Sequence, residues 1–311
     1  MSLLVVGSVA LDSLETPFGR REEILGGSAA YFSTCASFFG PTRVVAVVGE
    51  DFPEEHLEFL ASRGADLDGV VRLPGKTFRW KGRYDFDLNT AHTLDTQLNV
   101  LASFKPVLPP AWRGTDFVFL GNIDPDLQQS VLDQVEAPKF VACDTMNFWI
   151  DSKRDSLLKT LRRVDLLFVN DAEARQLAGE HNVVKAARKI LHFGPKAVVV
   201  KRGEYGSLFF SGDEVFAASA YPLLDVFDPT GAGDSFAGGF MGYTARCGRV
   251  DPAVLRRAIV VGSVVASFAV EQFSLDRLRT LTAEEIRSRY AEAKQLAHFD
   301  DLEPELFVAG R

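Results

Sequence analysis

The chain lacks long hydrophobic runs. Its most apolar stretch, residues 258–270, is interrupted by Gly262, Ser263 and Ser267 and falls short of the ~20 residues that span a bilayer. Cysteine is scarce: Cys35, Cys143 and Cys247 are odd in number and far apart, so neither a disulfide framework nor a zinc cluster is expected, and a reducing cytoplasm is the simple reading. Positive charge is short too. Against 42 Asp and Glu stand 34 Lys and Arg, a formal charge of −8, which argues against the basic surface that nonspecific nucleic-acid binding needs. The opening run Met1-Ser2-Leu3-Leu4-Val5-Val6-Gly7 has no basic stretch of signal-peptide type and reads directly as a buried strand. No internal repeat or low-complexity tract appears. The expectation is a cytoplasmic protein without nucleic-acid or membrane partners. At 311 residues, 47% hydrophobic and 24% charged, the chain suits one large α/β domain or two ordinary ones.

What is present is a βα rhythm. Residues 3–9 are apolar and β-branched, as an interior strand of a parallel sheet is. Residues 27–39 carry small and aromatic residues at helical spacing and stop at Gly40-Pro41. A second strand at 44–49 and a second helix at 54–63 continue the pattern. Between about 74 and 104 it changes: 77–86 alternates with period two and 93–101 less regularly, suggesting two or three antiparallel strands of a small lid, with 11–24 as a source of more. Strands are expected again at 117–120, 140–143, 166–169 and 197–201, with helices at 126–134, 156–163, 172–178 and 184–191. A hairpin at 207–210 and 214–217 precedes helices at 234–247, 252–270 and 283–296.

The strongest chemical signal is Asp228-Pro229-Thr230-Gly231-Ala232-Gly233-Asp234-Ser235-Phe236. Two glycines around an alanine permit a tight turn, and the small apolar run behind them places that turn at a helix N-terminus, where free N–H groups and the dipole make an anion site. An acid is out of place if anion binding were the only purpose. Asp234 makes sense as a base that takes a proton from an acceptor hydroxyl while the amides steady a moving phosphoryl group. The plainer alternative is a helix-start aspartate favoured by the dipole. No Gly-x-x-x-x-Gly-Lys-Ser/Thr occurs in the string, and Phe236 stands where a dinucleotide fingerprint has its third glycine, so neither a P-loop nor a nicotinamide enzyme is expected.

This string resembles the C-terminal signature of the ribokinase-like (PfkB) family of carbohydrate and nucleoside kinases. Gly26-Gly27-Ser28-Ala29-Ala30 resembles that family's N-terminal di-glycine motif, Asn170-Asp171-Ala172-Glu173 its Asn-x-x-Glu motif, and Lys201-Arg202-Gly203-Glu204-Tyr205-Gly206 its nucleotide-loop Gly-x-x-Gly element. The motifs come in the family's order over nearly the whole chain. The resemblance implies an α/β fold with a central, mostly parallel sheet flanked by helices and a small β-sheet lid. It assigns residues 1–10, 26–73 and 105–299 to the α/β kinase domain, 11–25 and 74–104 to the lid, and 300–311 to a loose tail. It also implies ATP, Mg²⁺ and transfer to a hydroxyl of a small-molecule acceptor. Asp234 resembles the catalytic base, and Gly231, Ala232 and Gly233 the anion hole. Asn170 and Glu173 would organise Mg²⁺ through water, although the same pair can be a helix capping box. Lys201, Gly203, Gly206, Thr230, Ser263 and Ser267 would lie along the nucleotide.

For the acceptor, the resemblance points to Asp12, whose carboxylate suits a vicinal diol, and to the backbone at Gly26 and Gly27. The chain departs from the pattern at Tyr31, where many sugar kinases of the family carry Asn, and at Asp144-Thr145-Met146-Asn147, where Asp-x-Asn is usual. Tyr31, Phe78, Trp80 and Trp149 offer flat surfaces, Gln97 and Asn99 alternate onto one lid face, and Asn122 follows a strand end where ligands collect. The leading reading is a kinase of a sugar or polyol, inositol included. A nucleoside kinase of adenosine-kinase type is the alternative, and a non-catalytic ribokinase-like binding protein is the alternative from another class. Clasped lid strands could also join two copies as a homodimer.

Overall fold

The computed structural model describes residues 2–302. In chain order its elements are β1 (Leu3–Val6), β2 (Ala10–Thr16), β3 (Gly19–Gly26), α1 (Ser28–Ala36), β4 (Thr42–Gly49), α2 (Glu54–Ser62), β5 (Ala65–Leu73), β6 (Arg79–Tyr84) and β7 (Ala91–Gln97). There follow β8 (Phe117–Leu120), α3 (Pro125–Leu132), β9 (Phe140–Asp144), α4 (Asn147–Ser152), α5 (Arg154–Leu161), β10 (Leu166–Asn170), α6 (Asp171–Ala178) and α7 (Val183–Leu191). The last third holds β11 (Ala197–Lys201), β12 (Ser207–Ser211), β13 (Glu214–Ala218), α8 (Ala232–Cys247), α9 (Pro252–Ala269), α10 (Asp276–Thr280) and α11 (Ala283–Leu296). Of the acidic tail expected at 300–311, residues 300–302 carry no regular element and the remainder lies outside the described residues.

Nine strands form one sheet in the order β13-β12-β11-β10-β9-β8-β1-β4-β5. Every pair from β11 to β5 is parallel, and β12 alone runs against the rest, antiparallel to both β11 and β13. The central strands are continuous apolar runs because both faces are covered. Leu3 and Val5 face one layer with α1, α8 and α9, while Leu4 and Val6 face the other with α3, α5, α6 and α7. Helix α9 is long and apolar enough to cross a membrane by length and composition, and it lies packed along α8 with Val254, Ile259, Val265 and Phe268 buried.

A second sheet of four strands, β3-β2-β6-β7, forms the lid. Its outer pairs are antiparallel, but β2 and β6 at its centre run parallel, so the lid is mixed rather than wholly antiparallel as its period suggests. Two of its strands come from before α1 and two from after β5, and that crossover makes the central pair run the same way. Strand β5 and helices α4 and α10 are elements that the sequence pattern did not announce. β5 is an edge strand half open to water, with Asp66, Asp68 and Gly69 interrupting any apolar run. Residues 99–103 form a 3₁₀ turn after β7 instead of continuing it as a strand.

Candidate active site

Parallel strands end where ligands collect, and here the carboxyl ends of β9, β10 and β11 carry Asp144, Asn170 and Lys201. Asn170 and Lys201 are register partners. The Lys201 ammonium lies 2.7 Å from Asp144 Oδ2, with both side chains largely out of solvent. Asn170 caps α6: its side chain accepts from the Glu173 amide at 2.8 Å, and Glu173 Oε2 accepts from the Asn170 amide at 2.7 Å. The capping box is therefore real, and it holds Glu173 with its carboxylate turned toward Asp144 and Lys201. Burial first, and then the charge of Asp144, pushes Glu173 up to about 7 against the pull of Lys201.

The Gly-Ala-Gly string begins α8 as its pattern predicts. Gly231 is the N-cap residue in the left-handed region, φ 73° and ψ 2°. A Cβ there would also come 2.4 Å from the Tyr31 ring, so both backbone and space demand glycine. Tyr31 is fully buried on α1 and backs the turn from below. A Cβ on Gly233 would sit 2.8 Å from Lys201 Nζ. The ammonium thus lies against the first turn of α8, whose amides have no intrahelical partner and whose dipole end is positive. Cation, amides and dipole converge on one place, which is an anion site. Asp234 stands in the same turn. Burial and the Asp144 charge raise it to about 7, opposed by Lys201 and by its own amide.

Asp228 secures the approach to this turn. It is buried, Oδ1 accepts from the Thr230 amide and Oδ2 from the Ser274 amide, each at 2.9 Å. Thr230 then donates through Oγ1 to the Tyr84 hydroxyl at 3.1 Å, which ties lid strand β6 to the helix start. On the neighbouring lid strand Asp12 is 4% exposed. Burial, followed by the like charges of Asp228 and Asp234, lifts it to about 8, while the Gly27 amide pulls the other way. A Cβ on Gly26 would lie 1.9 Å from Asp12 Oδ2, so the di-glycine leaves room for this carboxylate. The lid and the start of α8 thus bring together Asp12, Gly26, Gly27, Tyr31, Thr230, Gly231, Ala232, Gly233 and Asp234, with Glu173 and Lys201 behind them.

Other predicted residues stand elsewhere or are engaged. Gln97 is exposed at the end of edge strand β7 and donates to Asp95. Asn99 donates to the Thr77 carbonyl at 2.9 Å. Asn122 accepts from the Trp149 indole at 3.0 Å and donates to Met146 Sδ, which fixes α4 to the end of β8. Gly203 and Gly206 form the turn between β11 and β12, and Gly203 lies near Asn89 at the tip of the lid hairpin. Ser263 donates to the Ser219 carbonyl, while Ser267 donates to Val264 and accepts from Arg289. Asp144, Asp228, Ser274 and Tyr84 were not singled out as site residues. Asp144 and Tyr84 had a visible signal, an acid ending an apolar strand and the last inward place of an alternating one. Ser274 had none.

A family model described as pfkB family carbohydrate kinase matches residues 6–280. The cytidine kinase of Thermococcus kodakarensis is 34% identical over 78% of this chain and 89% of its own length. The inositol 3-kinase of Arabidopsis thaliana is 23% identical over 94% of this chain and 80% of its own. Among solved structures, the Methanocaldococcus jannaschii nucleoside kinase, described as an archaeal member of the ribokinase family, superposes with a TM-score of 0.75 at 20% identity, covering 94% of this chain and 99% of that one.

Proposed function

The chain belongs to the pfkB family of carbohydrate kinases, ATP-dependent enzymes that phosphorylate an alcohol, and from that membership we propose that its acceptor is a nucleoside, phosphorylated on a ribose hydroxyl. The observation that carries the acceptor class is the 34% identity with a cytidine kinase across most of both chains. It moves the reading away from the sugar or polyol that led the expectation, a choice that Tyr31 and the other aromatics did not decide.

The roles follow from the chemistry of the groups. Asp12 bonds both hydroxyls of the ribose diol, one oxygen accepting and the proton that burial keeps on it near neutral pH donating. With its carboxyl near neutrality, Asp234 is ionised in part at pH 7 and takes the proton of the attacking hydroxyl. The amides of the Gly231–Gly233 turn, with Lys201 against them, stabilise the charge that spreads over the transferring phosphoryl group. Thr230, Gly203, Gly206, Ser263 and Ser267 lie along the course proposed for the nucleotide. For Mg²⁺ the donors fit: Glu173 and Asn170 are hard oxygen donors beside Asp144, and among the described residues no group of three or more His, Cys, Asp or Glu could hold a metal ion alone. That suits a cation that keeps its waters and shares phosphate oxygens. Mg²⁺ supplies charge neutralisation on the phosphates when bound.

Steady-state assay of the purified chain with Mg-ATP against cytidine, uridine, adenosine, inosine, ribose, fructose and inositol tests this reading. A nucleoside is expected to give kcat/KM at least tenfold above any free sugar or inositol. A sugar or inositol as best acceptor would overturn it and return the polyol reading, which the inositol 3-kinase relative favours.

A further inference from the structure

Strand β6 turns one face toward the site, and its alternate residues Trp80, Gly82 and Tyr84 share that face. Tyr84 identifies it, because its hydroxyl accepts from Thr230 beside the Gly-Ala-Gly turn. On the adjoining strand Asp12 is the register partner of Trp80, and Leu14 that of Gly82. The carboxylate and the indole therefore stand on neighbouring strands roughly 4.8 Å apart. The indole lies flat across the strand: a Cβ on Gly82 would come within 2.1 Å of its ring. Its N–H is already spent, donating to Thr93 Oγ1 at 3.1 Å, and Thr93 is the register partner of Gly82 on β7. What this half-buried ring still offers is a π face. Among the described residues no other aromatic ring and no cation is stacked on it.

We infer that Trp80, laid flat on Gly82 beside Asp12, is the platform on which the heterocyclic base of the acceptor stacks while Asp12 holds the ribose. The inference rests on the nucleoside reading and deepens it. A free sugar or polyol would meet the ring only through the C–H face of its skeleton, since the indole has no donor left for its hydroxyls. A nucleobase brings a π face of its own, and every base has one. Gly82 makes the platform, since any side chain there would lift the ring from the strand. Thr93 fixes its azimuth. Selection at this point is for a planar heterocycle rather than for one particular base.

The test compares the wild-type chain with Trp80→Ala, Trp80→Phe and Gly82→Ala, using the best nucleoside of the acceptor panel. Loss of one base-stacking ring weakens binding by about 5- to 150-fold, so Trp80→Ala should raise KM for the nucleoside by that factor while KM for ATP stays within about twofold. Trp80→Phe should recover most of the loss. Gly82→Ala, which keeps the indole but displaces it, should raise the same KM, and thermal unfolding of each variant checks that it is folded. In the wild type, nucleoside should quench a share of the tryptophan fluorescence that disappears in Trp80→Phe. Unchanged nucleoside KM in Trp80→Ala, with wild-type turnover of nucleosides intact, overturns the platform and leaves the nucleoside reading standing. A wild type that phosphorylates only sugars or inositol overturns the nucleoside reading and this inference with it.

Discussion

An aspartate at the third position of a helix is ordinarily a capping group, ionised well below neutrality and helped by the dipole. Asp234 occupies that position, but burial and the facing carboxylate of Asp144 outweigh the dipole, its own amide and Lys201, and its carboxyl moves up to about 7. A base poised there is half ionised at physiological pH and strong enough to remove a proton as the phosphoryl group arrives. Asp234→Asn keeps shape and loses the base. Its kcat should fall by about 10²- to 10⁴-fold, with KM for ATP nearly unchanged. In the wild type, kcat/KM should decline about tenfold per pH unit below pH ~7, because the protonated carboxyl cannot accept. A pH–rate profile to pH 5 measures this. An acid limb in the ordinary aspartate range, or near-normal turnover by the Asn variant, would contradict the assignment.

At the scale of elements, the start of α8 decides whether that carboxylate meets the amides at all. Gly231 is held at φ 73° over the Tyr31 ring, whereas Gly212, at the tip of the β12–β13 hairpin, has a similar φ of 55° and nothing within 4 Å. Both should tolerate alanine poorly in backbone terms, at about 1–3 kcal/mol each. Only Gly231→Ala must also push Tyr31 or the turn aside, so it alone should lose turnover, by tenfold or more, while Gly212→Ala stays fully active and loses only the backbone part of the stability. Equal activity of the two would show that the turn geometry is dispensable. The contrast also marks what a sequence can disclose. The turn, its helix and the parallel strands were legible because each rests on neighbours in sequence: glycines at fixed spacing, or apolar runs buried on both faces. β5 was hidden because an edge strand does not need such a run. The Asp144–Lys201 pair and the Tyr84–Thr230 bond were hidden or only half visible because elements far apart in sequence create them. Trp80 and Gly82 sit in a plainly alternating segment, yet the alternation does not say which face meets Asp12.

On the scale of the molecule, three carboxyls drawn from β2, α6 and α8 line the site, and each is displaced upward: Asp12 to about 8, Glu173 and Asp234 to about 7. A carboxyl whose folded pKa exceeds its unfolded value binds protons more tightly in the folded chain, so folding stability is greatest at low pH and falls as pH rises from about 4 through the raised values. Groups of the opposite kind, such as Glu285, held down to about 2 by Thr282 and Arg277, lose their contribution only as pH drops below the ordinary carboxylate range. Between these limits the ligand-free protein should grow less stable from pH 5.5 to pH 8.5, although a net charge of −8 and ordinary surface carboxylates give no such slope by themselves. Urea unfolding at pH 5.5, 7.0 and 8.5 measures it, and a midpoint that is flat or rises over this window would refute the shared strain. Asp12→Asn separates the cluster from the rest of the chain. It removes one raised proton site, so it should stabilise the protein more at pH 8.5 than at pH 5.5 and flatten the slope, while weakening nucleoside binding. Stability at alkaline pH and acceptor affinity would then move in opposite directions in one variant, which a purely structural role for Asp12 would not produce.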